Sequence, residues 1–145
     1  METRSNKAKK DKGSILVDVT NLLAILYPAI QKMPKIERIE GAPREMKTAC
    51  YGIIRHYSVA KENPEVRMWH IRSMFGDYGV LLTAFSLCVQ YGLFTDSVKL
   101  AVAVQLERIE EGIRKWRNAT RSPKSEEQLQ VADGPSEEAA VSIIR

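Results

Sequence analysis

Apolar residues recur at helical spacing in four stretches of this chain, with polar residues filling the positions between them. The first stretch runs Leu16, Val19, Leu23, Leu26, Ile30, Met33. The second runs Met46, Cys50, Ile53, Tyr57, Ala60, widened by Ile54. The third passes through Ile71, Met74, Tyr78, Leu81, Phe85 and Cys88 and is flanked by Phe75, Leu82 and Val89. The fourth is the most regular: Val98, Val102, Leu106, Ile109, Ile113, Trp116. Each stripe must bury one helix face against its neighbours, which predicts an all-α fold, an antiparallel four-helix bundle.

The punctuation between the stripes agrees with this division. Pro34 ends the first helix, and Ala42-Pro43 opens the second with proline in the first turn. Asn63-Pro64 predicts a cap and first turn for the third, Gly92 its end, and Thr95 or Asp96 the cap of the fourth. Pro28 falls inside the first helical pattern and predicts a kink there. On the fourth helix Glu110–Arg114 and Glu111–Lys115 are spaced i, i+4 with the acid first, marking a solvated face. Short connections on either side of the third helix favour antiparallel neighbours.

Composition bounds this reading without changing it. The chain has 145 residues, 44% of them hydrophobic and 28% charged, with a mean hydropathy of −0.26. The net charge of +4 is uneven: residues 1–14 carry five basic and two acidic side chains, and residues 122–145 carry two and five. Three parts follow: a basic, flexible arm at 1–14, a bundle at 15–121, and an acidic tail at 122–145 that lacks an apolar face and is expected to be disordered. The longest apolar run, residues 78–94, covers seventeen positions and includes Thr83, Ser86 and Gln90. That is short of the roughly 20 residues a membrane span needs, so a cytoplasmic protein is expected. Cys50 and Cys88 lie inside apolar stripes and read as buried hydrophobes, with no metal or disulfide framework.

Candidate chemistry is sparse. His56 and His70 stand beside no nucleophile motif and read as surface or boundary residues. Asp18 and Asp77 are not placed together by any spacing. No glycine-rich phosphate loop and no Glu-x-x-His pair occurs, so neither catalysis nor a metal or other cofactor is expected. Basic residues form the better constellation. Arg44, Lys47 and Arg55 share one side of the second helix, and Lys32, Lys35 and Arg38 surround the proline connector. Arg67 and Arg72 open the third helix, while Arg114, Arg117 and Arg121 end the fourth. Taken singly each reads as solvated surface; as a set they are a candidate phosphate-contacting patch working through backbone and shape, with no basic–aromatic alternation to indicate base stacking. The third helix also carries more bulk than one small core can hide. Met68, Trp69, Phe75 and Leu82 are the candidate oligomer interface.

The ordered set Tyr27-Pro28, Pro34, Arg44-Glu45-Met46, then "GLFT" and "VQLERIEEGIRKWR" resembles the Avd-like branch of four-helix-bundle proteins. That branch includes accessory variability determinants of diversity-generating retroelements; more distant relatives are encoded in intervening sequences of ribosomal RNA genes. The resemblance implies a ring-like homo-oligomer, typically a homopentamer, that binds a reverse transcriptase together with template RNA or cDNA and is not itself a polymerase. The lysine-rich start and the long acidic tail depart from that pattern. A helical protein-interaction adaptor, or an intervening-sequence bundle without a reverse transcriptase, shares the same fold.

Overall fold

The structure, a computed structural model, describes residues 2–121, with side chains described from Ile15 onward; the stretch 122–145 read as an acidic tail lies outside them. Five α-helices follow in order: α1 (Glu2–Gln31), α2 (Lys35–Ile39), α3 (Ala42–Glu62), α4 (Arg67–Gln90) and α5 (Asp96–Thr120). A single 3₁₀ turn, Pro64–Val66, joins α3 to α4, and no strand occurs among the described residues. The four long helices pack in a ring of neighbours, α1 against α3 and α5, and α4 against α3 and α5. The short α2 lies against α3 and α1.

Side-chain partners set the directions. Arg67 at the start of α4 bonds Ala60 near the end of α3, whereas Cys88 near the end of α4 meets Met46 near the start of α3. Tyr78 of α4 likewise reaches Leu106 and Glu110 of α5, and Arg117 of α5 lies over Phe75 of α4. Both pairs are therefore antiparallel.

The stripes of α3 and α5 bury as their periodicity predicts. Met46, Cys50, Ile53, Tyr57 and Ala60 are buried, as are Val102, Leu106, Ile109 and Ile113, with Val98 and Trp116 packed at the ends. Fully burying a large apolar side chain contributes about 1.5–3 kcal/mol. The ion pairs on the outer face of α5, Lys115–Glu111 at 3.3 Å and Arg114–Glu110, contribute only a few tenths each. Apolar burial therefore orients these helices.

Several boundaries differ from expectation. The inward face of α1 is Ile15, Val19, Leu22, Leu23, Leu26 and Ile30, while Leu16 is 40% exposed. Positions 15 and 16 both lie one turn before Val19, and packing of α1 between α3 and α5 selects the former. The helix extends back to Glu2 through the residues read as an arm; these are largely good helix formers with no proline among them. As expected it runs through Pro28, and it ends at Gln31. Pro28 is exposed, so the carbonyl deprived of its donor lies where water reaches it. Asn63 does not cap the next helix: its side-chain amide donates back to the Val59 carbonyl at 2.9 Å and finishes α3. The connector after Pro34 holds a helical turn, α2, instead of a plain loop.

The α4 terminus is a Schellman motif. Leu93 N–H donates to Cys88 O at 2.9 Å and Gly92 N–H to Val89 O at 3.1 Å, with Gly92 at φ 65°. Thr95 then caps α5, its hydroxyl accepting from Val98 N–H at 3.3 Å. Phe94, between the two, is buried and stacks on Phe85 with ring centroids 6.2 Å apart.

Gly52 of α3 faces α4 so closely that a Cβ there would sit 2.5 Å from Asp77 Oδ2. Alanine in place of glycine inside a helix ordinarily gains about 1 kcal/mol. Gly52→Ala should therefore be less stabilising than this, or destabilising, in the native background. In an Asp77→Ala background it should recover most of that gain. Urea unfolding of the four proteins of this cycle measures the difference; equal effects in both backgrounds would show that the carboxylate yields freely.

Candidate nucleic-acid interface

Burying Met46, Cys50, Ile53 and Tyr57 turns the opposite side of α3 outward, and Arg44, Lys47, Thr48, Tyr51 and Arg55 recur along that side at helical spacing. The first four face α2 and the end of α1 across an open groove of about 560 Å³. Tyr27 of α1 lines it, as do Arg38 and Ile39 of α2 and the following Glu40. Three cations thus share the groove with one acid.

The tyrosines hold its walls together. The Tyr27 and Tyr51 hydroxyls are 2.7 Å apart, tying α1 to α3, and Lys47 Nζ lies 4.9 Å from the centroid of the Tyr27 ring. The hydrogen bond to Tyr27, helped by some burial, holds the Tyr51 phenol above its ordinary pKa, so it stays protonated. Both tyrosines remain more than 40% exposed, which places aromatic residues at the surface beside the charges. Basic and aromatic groups are therefore interleaved in space, contrary to the linear reading. Tyr27 and Tyr51 are 24 residues apart, and only the α1–α3 packing pairs them.

The other basic candidates separate into distinct groups. Lys32 and Lys35 are exposed on the connector, and Arg55 lies one turn beyond Tyr51. Arg67 is committed to structure: its Nε donates to Ala60 O at 2.9 Å and its Nη2 to Lys61 O at 3.2 Å, closing the end of α3, and its guanidinium lies over Trp116. Arg114 is held by Glu110, which also accepts from Tyr78. Arg117 covers the half-buried Phe75 at 5.1 Å. Burial and the nearby charge of Arg121 pull the Arg72 guanidinium below its ordinary pKa, so this pair sits together on the α4 side, apart from the groove. The eleven cations do not form one continuous patch.

The apolar candidates also divide. Met68 is 7% exposed and belongs to the core, because it continues the inward stripe of Ile71 and Met74; it cannot serve as an interface residue. Trp69 and Leu82 are exposed, and Phe75 lies under Arg117. Further exposed bulk lies on and just after the C-terminal half of α4, at Val80, Leu87, Val89 and Tyr91, and on the N-terminal half of α5, at Leu100 and Val104. Periodicity alone does not single these positions out, because α4 is apolar on several sides and Leu100 and Val104 stand off the regular stripe of α5.

The two histidines, unrelated in sequence, meet across the α3–α4 seam with Nδ1 atoms 2.9 Å apart, and Trp69 packs edge-on against both rings. Asp77 Oδ2 lies 3.9 Å from His56 Nε2. Burial raises the Asp77 pKa against the lowering charges of His56 and Arg55. Among the described residues no group of three or more His, Cys, Asp or Glu side chains is arranged to hold a metal ion. Cys50 and Cys88 are free and buried; burial pushes their thiols up to about 12 and about 11, which keeps them protonated. No described helix is long and apolar enough to cross a membrane.

Comparison with protein-family profiles, with curated sequences and with solved structures returned no match to this chain.

The histidine pair carries a pH dependence of stated sign. Burial, then the charge of His56, lowers the His70 pKa, so the folded state binds fewer protons there than the unfolded chain. Stability from this group is complete above the unfolded value near 6.5 and falls as pH drops below it. The raised Asp77 pKa acts in the opposite sense, but in the more acidic carboxylate range. The urea midpoint should therefore fall between pH 7.5 and 5.5, and His70→Gln should flatten that slope.

Proposed function

We propose that this chain is a non-catalytic, nucleic-acid-binding accessory protein of a diversity-generating retroelement. In this reading it assembles as a ring-like homo-oligomer, a homopentamer, and holds template RNA or cDNA for a partner reverse transcriptase. The observation that carries nucleic-acid binding is the groove of Arg38, Arg44 and Lys47 against a single acid, Glu40. Neither Arg38 nor Arg44 has an ion-pair partner among the described residues, so both are available to a phosphate. The +4 net charge favours approach of a polyanion. Self-association is supported by the exposed apolar side chains at the α4–α5 end, Tyr91 and Leu100 being 72% and 70% exposed. The resemblance in the Tyr-Pro and Arg-Glu-Met elements supplies the retroelement setting. The same exposed face also suits a second reading, a helical adaptor or an intervening-sequence bundle that docks protein without nucleic acid.

Filter binding of RNA at two salt concentrations separates these readings. Affinity should fall steeply with salt, with a slope reduced by about two to three in Arg38→Ala/Arg44→Ala/Lys47→Ala. Arg114→Ala, which loses a structural ion pair, should leave that slope nearly unchanged. RNA retention that is absent, or insensitive to salt, would favour the adaptor. Light scattering of Leu100→Glu tests assembly: a mass reduced towards one subunit is expected, and a native protein already monomeric would remove the ring.

A further inference from the structure

We infer that the groove between α1, α2 and α3 is a nucleotide subsite for unpaired strands, with phosphate on Arg38 and Arg44 and a base against Tyr51. This deepens the nucleic-acid reading above and rests on it.

A surface that only tracks phosphates needs cations and nothing else. This groove has more. Tyr51, 44% exposed as a residue, contributes an aromatic ring, and Ile39, 49% exposed, adds apolar area on the opposite wall. A duplex keeps its base faces inside the stack and cannot use such area, whereas an unpaired base can. The volume, about 560 Å³, falls in the range of sites that take small organic ligands and suits one nucleoside-phosphate unit.

The side chains also divide the work between them. Lys47 is already placed over the Tyr27 ring, and Tyr27 is bonded through its hydroxyl to Tyr51. Tyr27 and Lys47 thus act as a brace that fixes the orientation of Tyr51. Among the described residues no ring or cation stacks on Tyr51 itself, and the residue is 44% exposed. Arg38 and Arg44 arrive from different helices, which lets two guanidinium forks converge on one anion. Glu40 repels a second phosphate and can accept a hydrogen bond from a base amino group or a ribose hydroxyl. One anion, one flat ring and one hydrogen-bond donor together describe a nucleoside monophosphate unit, found free or within a single strand.

Fluorescence anisotropy with a labelled eight-nucleotide RNA, single-stranded and as a duplex of the same sequence, tests the assignment on the full-length protein. Stacking on one aromatic side chain is worth about 1–3 kcal/mol, or roughly five- to 150-fold. Tyr51→Ala should weaken the single strand by at least about five-fold and leave the duplex within about two-fold. Tyr51→Phe keeps the ring and loses the hydroxyl bond, so it should retain most of the affinity; circular dichroism confirms that both variants fold. Displacement of the strand by excess AMP would support the subsite and extend it to free nucleotides. Failure of AMP, with selective weakening by Tyr51→Ala, would support it with the strand as its source. Equal weakening of strand and duplex, or no weakening of either, would overturn the subsite while leaving RNA binding intact. Absence of all RNA binding by the native protein would instead remove the proposed function itself.

Discussion

The apolar seam between α3 and α4 is the constraint on which the rest of the molecule depends. Met46, Cys50, Ile53 and Tyr57 on one side and Ile71, Met74, Leu81 and Cys88 on the other are buried in one core. A helix that commits one face to such a seam has no freedom left in the other. Arg44, Lys47, Thr48, Tyr51 and Arg55 are outward because Met46, Cys50, Ile53 and Tyr57 are inward, and a rotation of about 100°, one residue's worth, would exchange many of them. The groove is thus a consequence of core packing. The same seam brings His56 to His70 and presses Asp77 against Gly52, so these three titratable groups meet where the helices pack most extensively.

Charge is distributed according to a second rule, in which an arginine's environment decides what it can do. Arg67 spends its hydrogen bonds on the carbonyls that end α3, Arg114 on Glu110, and Arg117 its planar face on Phe75. A guanidinium already bonded to protein gains little from a phosphate, because the new contact must replace an old one. Arg38 and Arg44 have no such commitments among the described residues, and the short α2 brings Arg38 across from Arg44. Pro34 and Pro43 bear on this arrangement. One ends the approach from α1 and the other is buried in the first turn of α3, so α2 is held between two fixed points. The stiffness of the connector shapes the wall of the groove.

Much of the fold was legible along the chain. The stripes of α3 and α5 were right residue by residue because a helix with a single partnered side leaves an unambiguous period. The stripe of α1 shifts from Leu16 to Ile15, and Met68, alone buried among the four interface candidates of α4 at 7% exposure, belongs to the core, for one shared reason. Where apolar residues occupy adjacent positions, periodicity permits two solutions, and only the neighbouring helices choose. Asn63 departs from expectation because an asparagine before proline has the local chemistry of a cap in either direction, and its amide bonds the carbonyl behind it.

The sequence by itself determined that four amphipathic segments would associate, where the chain would turn, and which cations were available, because those properties arise from neighbours within about one helical turn. Only the tertiary structure decided which of those cations remain uncommitted, that two tyrosines 24 positions apart share a hydrogen bond, and that two unrelated histidines form a pair. These are contacts between helices. Their existence depends on the angle at which each helix is rolled against the next, and that angle is fixed by the whole core at once.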